Sequence, residues 1–302
     1  IAKADTVLSD GYGNGADRAV LLYALLRHAG LKPEFVLASW TPKVRDLREQ
    51  LLDHPAAYLF PDVLVRVKLA GQQILLNDTN QYAPLGSFAH EDRAGLFLRS
   101  GRVKILTPEE SLRNRTERDY DLTIDAKGNA TIRKTTRYYG GSHGSRKKFY
   151  GELPPEERRR HFQKLLAGLS QSAEPVGGLA TDFASYPGTE TYTAKIASYA
   201  VRDGKYLYFN LPAIHGNLFG LRADERTNDF YQGGDMDIGF TTTIHLPEGF
   251  AAPLLSPEQL NAKVPGGLGT VSVQRATGKD GKAIIFTHTA KVAAGVIPAD
   301  LY

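Results

Sequence analysis

Three carboxylates and one amide in the first eighty residues stand near the ends of regular elements, where side chains can converge: Asp17, Asp62, Asp78 and Asn77. Two carboxylates can hydrolyse a glycosidic bond when they flank it at about 5–10 Å. A glycine run, Gly11-Tyr12-Gly13-Asn14-Gly15, precedes a helix, a setting in which backbone N–H groups can cradle an anion. It lacks the Gly-Lys-Ser/Thr ending and a preceding strand, so a nucleotide site is set aside. The chain of 302 residues contains no cysteine. Disulfides, thiolate metal sites and a cysteine nucleophile are therefore excluded within it. The eight histidines lack ligand spacing, and Asp235-Met236-Asp237 reads as an exposed strand edge. No metal and no cofactor is expected.

The elements that would position these residues follow from periodicity. Ala19, Leu22, Leu25, Leu26 and Ala29 form an apolar stripe, which predicts a helix over Ala16–Ala29 capped by Asn14 and stopped by Gly30 and Pro33. A strand is predicted over Glu34–Ser39 and a short helix over Leu47–Asp53. Asp62–Lys68 and Gln73–Asn77 alternate around Ala70-Gly71, the pattern of a two-residue hairpin. Val63, Val65, Val67, Ile74 and Leu76 would share its buried face. A turn at Ala70-Gly71 also puts Asp62 and Asn77 on one face as diagonal neighbours, roughly 7–8 Å apart, with Asp78 on the other.

A polar stretch, Arg113–Asp119, separates this region from a chain of hairpins. Turns are predicted at Lys127-Gly128-Asn129, Asp203-Gly204 and Asp280-Gly281, with a helix over Pro155–Ser170. The expected fold is α+β. Residues 1–112 form a helix packed on an antiparallel sheet, and residues 118–302 an antiparallel, sandwich-like β domain with a helical insertion.

Composition adds limits. The net charge of +4 is a mild surplus for this length, and the basic clusters His143–Lys148 and Arg158–His161 are interleaved with Glu152, Glu156 and Glu157. They read as solvated helix faces, so no nucleic-acid partner is expected. No apolar run reaches the ~20 residues needed to cross a bilayer. Because Ile1 opens the chain, it reads as an excerpt of a longer one.

Two stretches carry a family resemblance. Gly11–Leu37 reads GYGNGADRAVLLYALLRHAGLKPEFVL, and Phe60–Thr79 reads FPDVLVRVKLAGQQILLNDT. The first is similar to Tyr-Gly-Asp-Cys-x-Asp-x-Ala and its helix in bacterial transglutaminase-like proteins of the papain-type fold. The second is similar to their Phe-Asn-His-Val-Ile-Val hairpin, which ends in Trp-Leu-Asp-Pro-Thr. More loosely, Ile244–Phe250 and the ending GVIPADLY resemble the β-rich domain that often follows such a core.

The resemblance puts Gly15 at the cysteine position, Asp62 at the histidine position and Asn77 at the aspartate position; only the accessory Asp17 agrees. The family chemistry needs a thiolate at a helix N-terminus and an imidazole relay. Gly15 offers no nucleophile, and Asn77 could orient a histidine that the motif does not supply. The implied protein is a non-catalytic scaffold or binding protein for a peptide, glycan or protein partner, in the periplasm or otherwise outside the cytoplasm. Tyr12, Asn14, Asp17, Asp62, Asn77 and Asp78 would line its cleft. A hydrolase using the cleft carboxylates and a structural module of an envelope assembly are the alternatives. The geometric expectation is that Gly15 faces Asp62 and Asn77, with the three Cα atoms within about 12 Å.

Overall fold

The computed structural model describes residues 1–76, 80–212, 227–250, 256–257, 259–278 and 283–301. The predicted turn at Asp280-Gly281 and the candidate residues Asn77 and Asp78 lie outside them. The protein is of mixed helix and sheet, with mostly antiparallel pairing. It divides into two compact units, Ile1–Asn114 with Tyr139–Ser145, and Arg115–Tyr138 with Arg146–Tyr302. The return of Tyr139–Ser145 to the first unit has no signature in the sequence.

The first unit contains helices α1 (Ala4–Asp10), α2 (Gly15–His28) and α3 (Arg45–Asp53). Its strands are β1 (Glu34–Ala38), β2 (Asp62–Leu69), β3 (Gln72–Leu76), β4 (Ala94–Phe97) and β5 (Arg102–Ile105), in sheet order β3-β2-β1-β4-β5. The α2 start is a capping box: the Asn14 side chain accepts the Asp17 N–H, and the Asp17 carboxylate accepts the Asn14 N–H. The β2–β3 hairpin closes through Leu69↔Gln72. Both loop residues, Ala70 (φ 47°) and Gly71 (φ 88°), are left-handed, which matches the twist of the strands they join.

The sheet is buried on both faces, where the sequence reading expected one. Val65 and Val67 of the predicted apolar row are 1% exposed, but so are residues of opposite parity: Leu64 at 0% and Leu75 at 8%. On one face α2 lies along β2 and stacks Tyr23 on Phe35, with ring centroids 4.4 Å apart. On the same face α3 contributes Leu51 to a cluster with Leu37, Leu96 and Phe60. The other face carries Val36, Ala38, Leu64, Leu75 and Phe97 under Leu106 and Phe88. A sheet covered twice selects apolar residues at successive positions and not only at alternate ones.

The second unit is built on one nine-stranded sheet. Its strands are β6 (Thr116–Ile124), β7 (Ala130–Tyr138), β8 (Ala173–Pro175), β9 (Ala180–Asp182), β10 (Gly188–Ile196), β14 (Met236–His245), β15 (Leu260–Val264), β16 (Gly269–Thr277) and β17 (Ala283–Val292). Two small pairs accompany it: β11 (Val201–Asp203) with β12 (Tyr206–Tyr208), and β13 (Phe230–Gln232) with β18 (Gly295–Ile297). Helix α4 spans Gly140–Glu152 and α5 spans Pro155–Ala167.

The expectation of purely antiparallel pairing fails at one place, because β14 runs parallel to β6 over eight residue pairs, Ile238↔Thr116 to His245↔Thr123. A parallel neighbour must come from a distant part of the chain, so local turn chemistry does not announce it. The β6–β7 hairpin turns where predicted. Gly128 (φ 84°) there lies so close to Ala200 that an added Cβ would sit 2.2 Å from the Ala200 carbonyl oxygen. Strand β10 ends at Ile196, before the predicted Asp203-Gly204 turn, and Ser198 has φ 52°. The loop that follows is Gly204-Lys205, since Asp203 pairs with Tyr206. Tyr120, Leu122, Ile124, Ile132, Ile196, Ile244 and Phe286 form the core of this unit. Burying each such side chain is worth about 1.5–3 kcal/mol.

Candidate functional site

Gly15 is the first residue of α2 and is exposed, and a Cβ built on it would meet nothing within 4 Å. Asn14 is exposed beside it, and Tyr12 is 77% exposed. The helix N-terminus is thus open, and nothing occupies the space a nucleophilic side chain would have filled. Asp17, by contrast, is spent on structure. One carboxylate oxygen accepts the Ala2 N–H at 2.7 Å and the other the Asn14 N–H at 3.1 Å. The Ala2 hydrogen bond, more than any other influence, holds its pKa below the usual carboxylate value.

Asp62 begins β2, pairs with Ala38, and shares its face with Leu64. That is the face opposite the one α2 covers, because Phe35, under Tyr23, pairs with Val65. Asp62 therefore points away from α2, while the expected convergence with Gly15 rests in part on Asn77, outside the described residues. The cause lies in which parity of β2 meets the helix: the Val63–Val65–Val67 row lies toward α2, and a strand cannot offer both rows to one partner.

Asp62 instead joins a cluster the sequence did not reveal. Its Oδ2 accepts the Trp40 indole N–H and lies 2.8 Å from His90 Nε2. The His90 ring sits 4.3 Å from that of Trp40, and the Arg93 guanidinium lies 5.0 Å from the Trp40 ring centre. Arg93 also donates to the Trp40 carbonyl at 2.8 Å and to the Thr41 carbonyl. His90 is 1% exposed, while Trp40 and Asp62 are 48% and 39% exposed. Burial lowers the His90 pKa, only partly offset by Asp62. The neutral ring therefore donates from Nε2 to Asp62, leaving Nδ1 as a lone-pair acceptor. That Nδ1 is buried and has no hydrogen-bond partner among the described residues.

Among the described residues the arrangement is an acid–imidazole pair without a nucleophile. A catalytic relay would place a hydroxyl or thiol against the free imidazole nitrogen, and none of the described residues bonds Nδ1. His90 has no motif spacing to either aspartate, and a loop outside β2–β3 delivers it. Only its proximity in sequence to β4 could have suggested that it reaches the end of β2.

No protein-family model matches the chain, and no curated protein matches it. Among solved structures, one described as a "putative protease" from Parabacteroides distasonis is similar, at 15% identity and a TM-score of 0.46. The similarity covers 99% of this chain and 41% of that one. At this level it assigns neither residues nor activity. No helix among the described residues is long and apolar enough to cross a membrane, which leaves β-barrels unaddressed.

Proposed function

We propose that this chain is a non-catalytic scaffold or binding protein, related to transglutaminase-like domains of papain-type fold and placed outside the cytoplasm. The observation that carries this reading is the separation of parts. The open helix N-terminus at Gly15 has no nucleophile, and the Asp62–His90 pair points to the other face of the sheet with, among the described residues, no group to activate. A helix at Gly15–His28 and a β2–β3 hairpin in register through Val65↔Leu76 are compatible with this reading. Hydrolysis by paired carboxylates is not favoured, since both oxygens of Asp17 are held by backbone N–H groups and Asp62 is bound to Trp40 and His90. The ligand class proposed is a peptide, glycan or protein segment that meets the exposed Tyr12, Asn14 and Trp40.

The test is a titration of the isotopically labelled chain with a glutamine-containing peptide and with a chito-oligosaccharide. Shifts at the Tyr12, Asn14 or Trp40 amides without any product are expected. Turnover of either compound overturns the reading, and shifts for neither reduce it to a scaffold.

A further inference from the structure

One side of the nine-stranded sheet changes character along the strands. Toward one end it is the apolar core around Leu122, Ile132 and Ile244. Toward the other, the cross-strand rows become Thr242–Tyr120–Lys134–Tyr192 and Phe240–Arg118–Thr136–Glu190. Lys134 and Arg118 are diagonal neighbours on this side.

Three cations gather here on aromatic rings. Lys134 Nζ lies 5.5 Å from the Tyr120 ring centre and 5.6 Å from that of Tyr192. The Arg118 guanidinium lies 5.1 Å from Phe240, and that of Arg146, from α4, lies 5.3 Å from Tyr138 and 5.6 Å from Phe149. All three are half-buried, and among the described residues none forms an ion pair. The one carboxylate on these two rows is Glu190, 2% exposed, and it is already held by the hydroxyls of Tyr150 and Tyr138. One negative charge thus stands against three positive ones.

Burial drives the Lys134 pKa down, with Arg118 and Arg146 adding to the fall and Glu190 opposing it. Cations drawn partly out of water are normally paired. A second signal points the same way: the Thr242 hydroxyl, on the same face beside Tyr120, is fully buried and has no hydrogen-bond partner among the described residues.

We propose that this polar end of the sheet is a binding site for the oxyanion group of a small ligand, a carboxylate or phosphate, recognised by Lys134, Arg118 and Arg146. The site is separate from the first unit and does not depend on the reading given to Gly15 or Asp62. Arginine and lysine provide the donors such a group requires, and the buried rings of Tyr120 and Tyr192 beside Lys134 lower the local polarity in which it acts. Glu190, fixed by the two tyrosines, favours the charged form of Lys134 within the cluster.

The experiment is isothermal titration calorimetry of the full chain with inorganic phosphate and, separately, with succinate, at constant ionic strength set by chloride. The expected result is saturable binding of at least one of the two anions. It should weaken by about tenfold or more in Lys134→Met and in Arg118→Gln, the loss of one charge-assisted hydrogen bond. Arg159→Gln, at an exposed α5 position, should bind as the parent does. If Lys134→Met does not fold, Arg118→Gln decides alone. Binding of phosphate only, or of succinate only, identifies the oxyanion. No saturable binding of either, or equal weakening in Arg159→Gln, overturns the proposal.

Discussion

Removing the Asp62 carboxylate tests the cluster that the first unit builds in place of a catalytic one. In Asp62→Ala the His90 Nε2–H loses its acceptor in a setting where His90 is 1% exposed. A buried donor left without a partner costs about 1–3 kcal/mol. The Trp40 indole N–H also loses its acceptor, but at 48% exposure Trp40 can turn to water at small cost. The expected destabilisation is therefore about 1–3 kcal/mol, or a fall of about 3–10 °C in the melting temperature of this unit. Asp62→Asn keeps an acceptor oxygen and should lose about 1 kcal/mol or less. Trp40 is the single tryptophan of the chain, so its emission in a urea titration reports on this unit directly. An Asp62→Ala variant whose midpoint and Trp40 emission match the parent would show that the pair holds nothing together.

Other expectations follow from the same geometry. His90 has a folded-state pKa below the ordinary 6.5, so the unfolded chain binds the extra proton first. Its contribution is complete above about pH 6.5 and is lost as pH falls through the folded value; a Trp40 emission titration with a midpoint above 6.5 would contradict this. Asp62→Asn removes the charge that raises this pKa and should move the midpoint lower still. Asn14→Ala breaks the α2 capping box and should cost about 0.5–2 kcal/mol in the same urea assay, whereas Asn14→Asp should cost little. Gly15→Cys should fold normally, since its Cβ meets nothing within 4 Å, and its thiol should react with iodoacetamide without conferring amide hydrolysis. Tyr150→Phe removes a donor from the buried Glu190 and should destabilise the second unit by about 1–3 kcal/mol, read by calorimetry.

Local chemistry made part of this fold legible. The helix α2 was marked at one end by Asn14 and at the other by Gly30 and Pro33, and the β2–β3 register followed from Ala70-Gly71 alone. Gly128 and Asn129 announced the β6–β7 turn in the same way. Features set by distant contacts were hidden. Helix α4 begins Gly140-Gly141, a poor helix start that propensity would reject. The parallel β6–β14 pairing joins segments more than a hundred residues apart. The row of β2 that meets α2, Val63–Val65–Val67, was legible, but burial of the opposite face was not, because a period-two pattern cannot reveal it when Leu64 and Val65 are apolar in succession. His90 reached Asp62 through a loop with no periodicity at all. The site residues were thus legible as positions, while their partners were not.

The most direct test of the account is ammonia release from a glutamine-containing peptide, measured in parallel for the purified parent chain and for His90→Ala. The account predicts no release above the peptide blank from either protein, because among the described residues no nucleophile contacts His90 Nδ1 and Gly15 supplies none. Release by the parent that disappears in His90→Ala would show that the Asp62–His90 pair does activate a nucleophile, and the non-catalytic reading would be wrong.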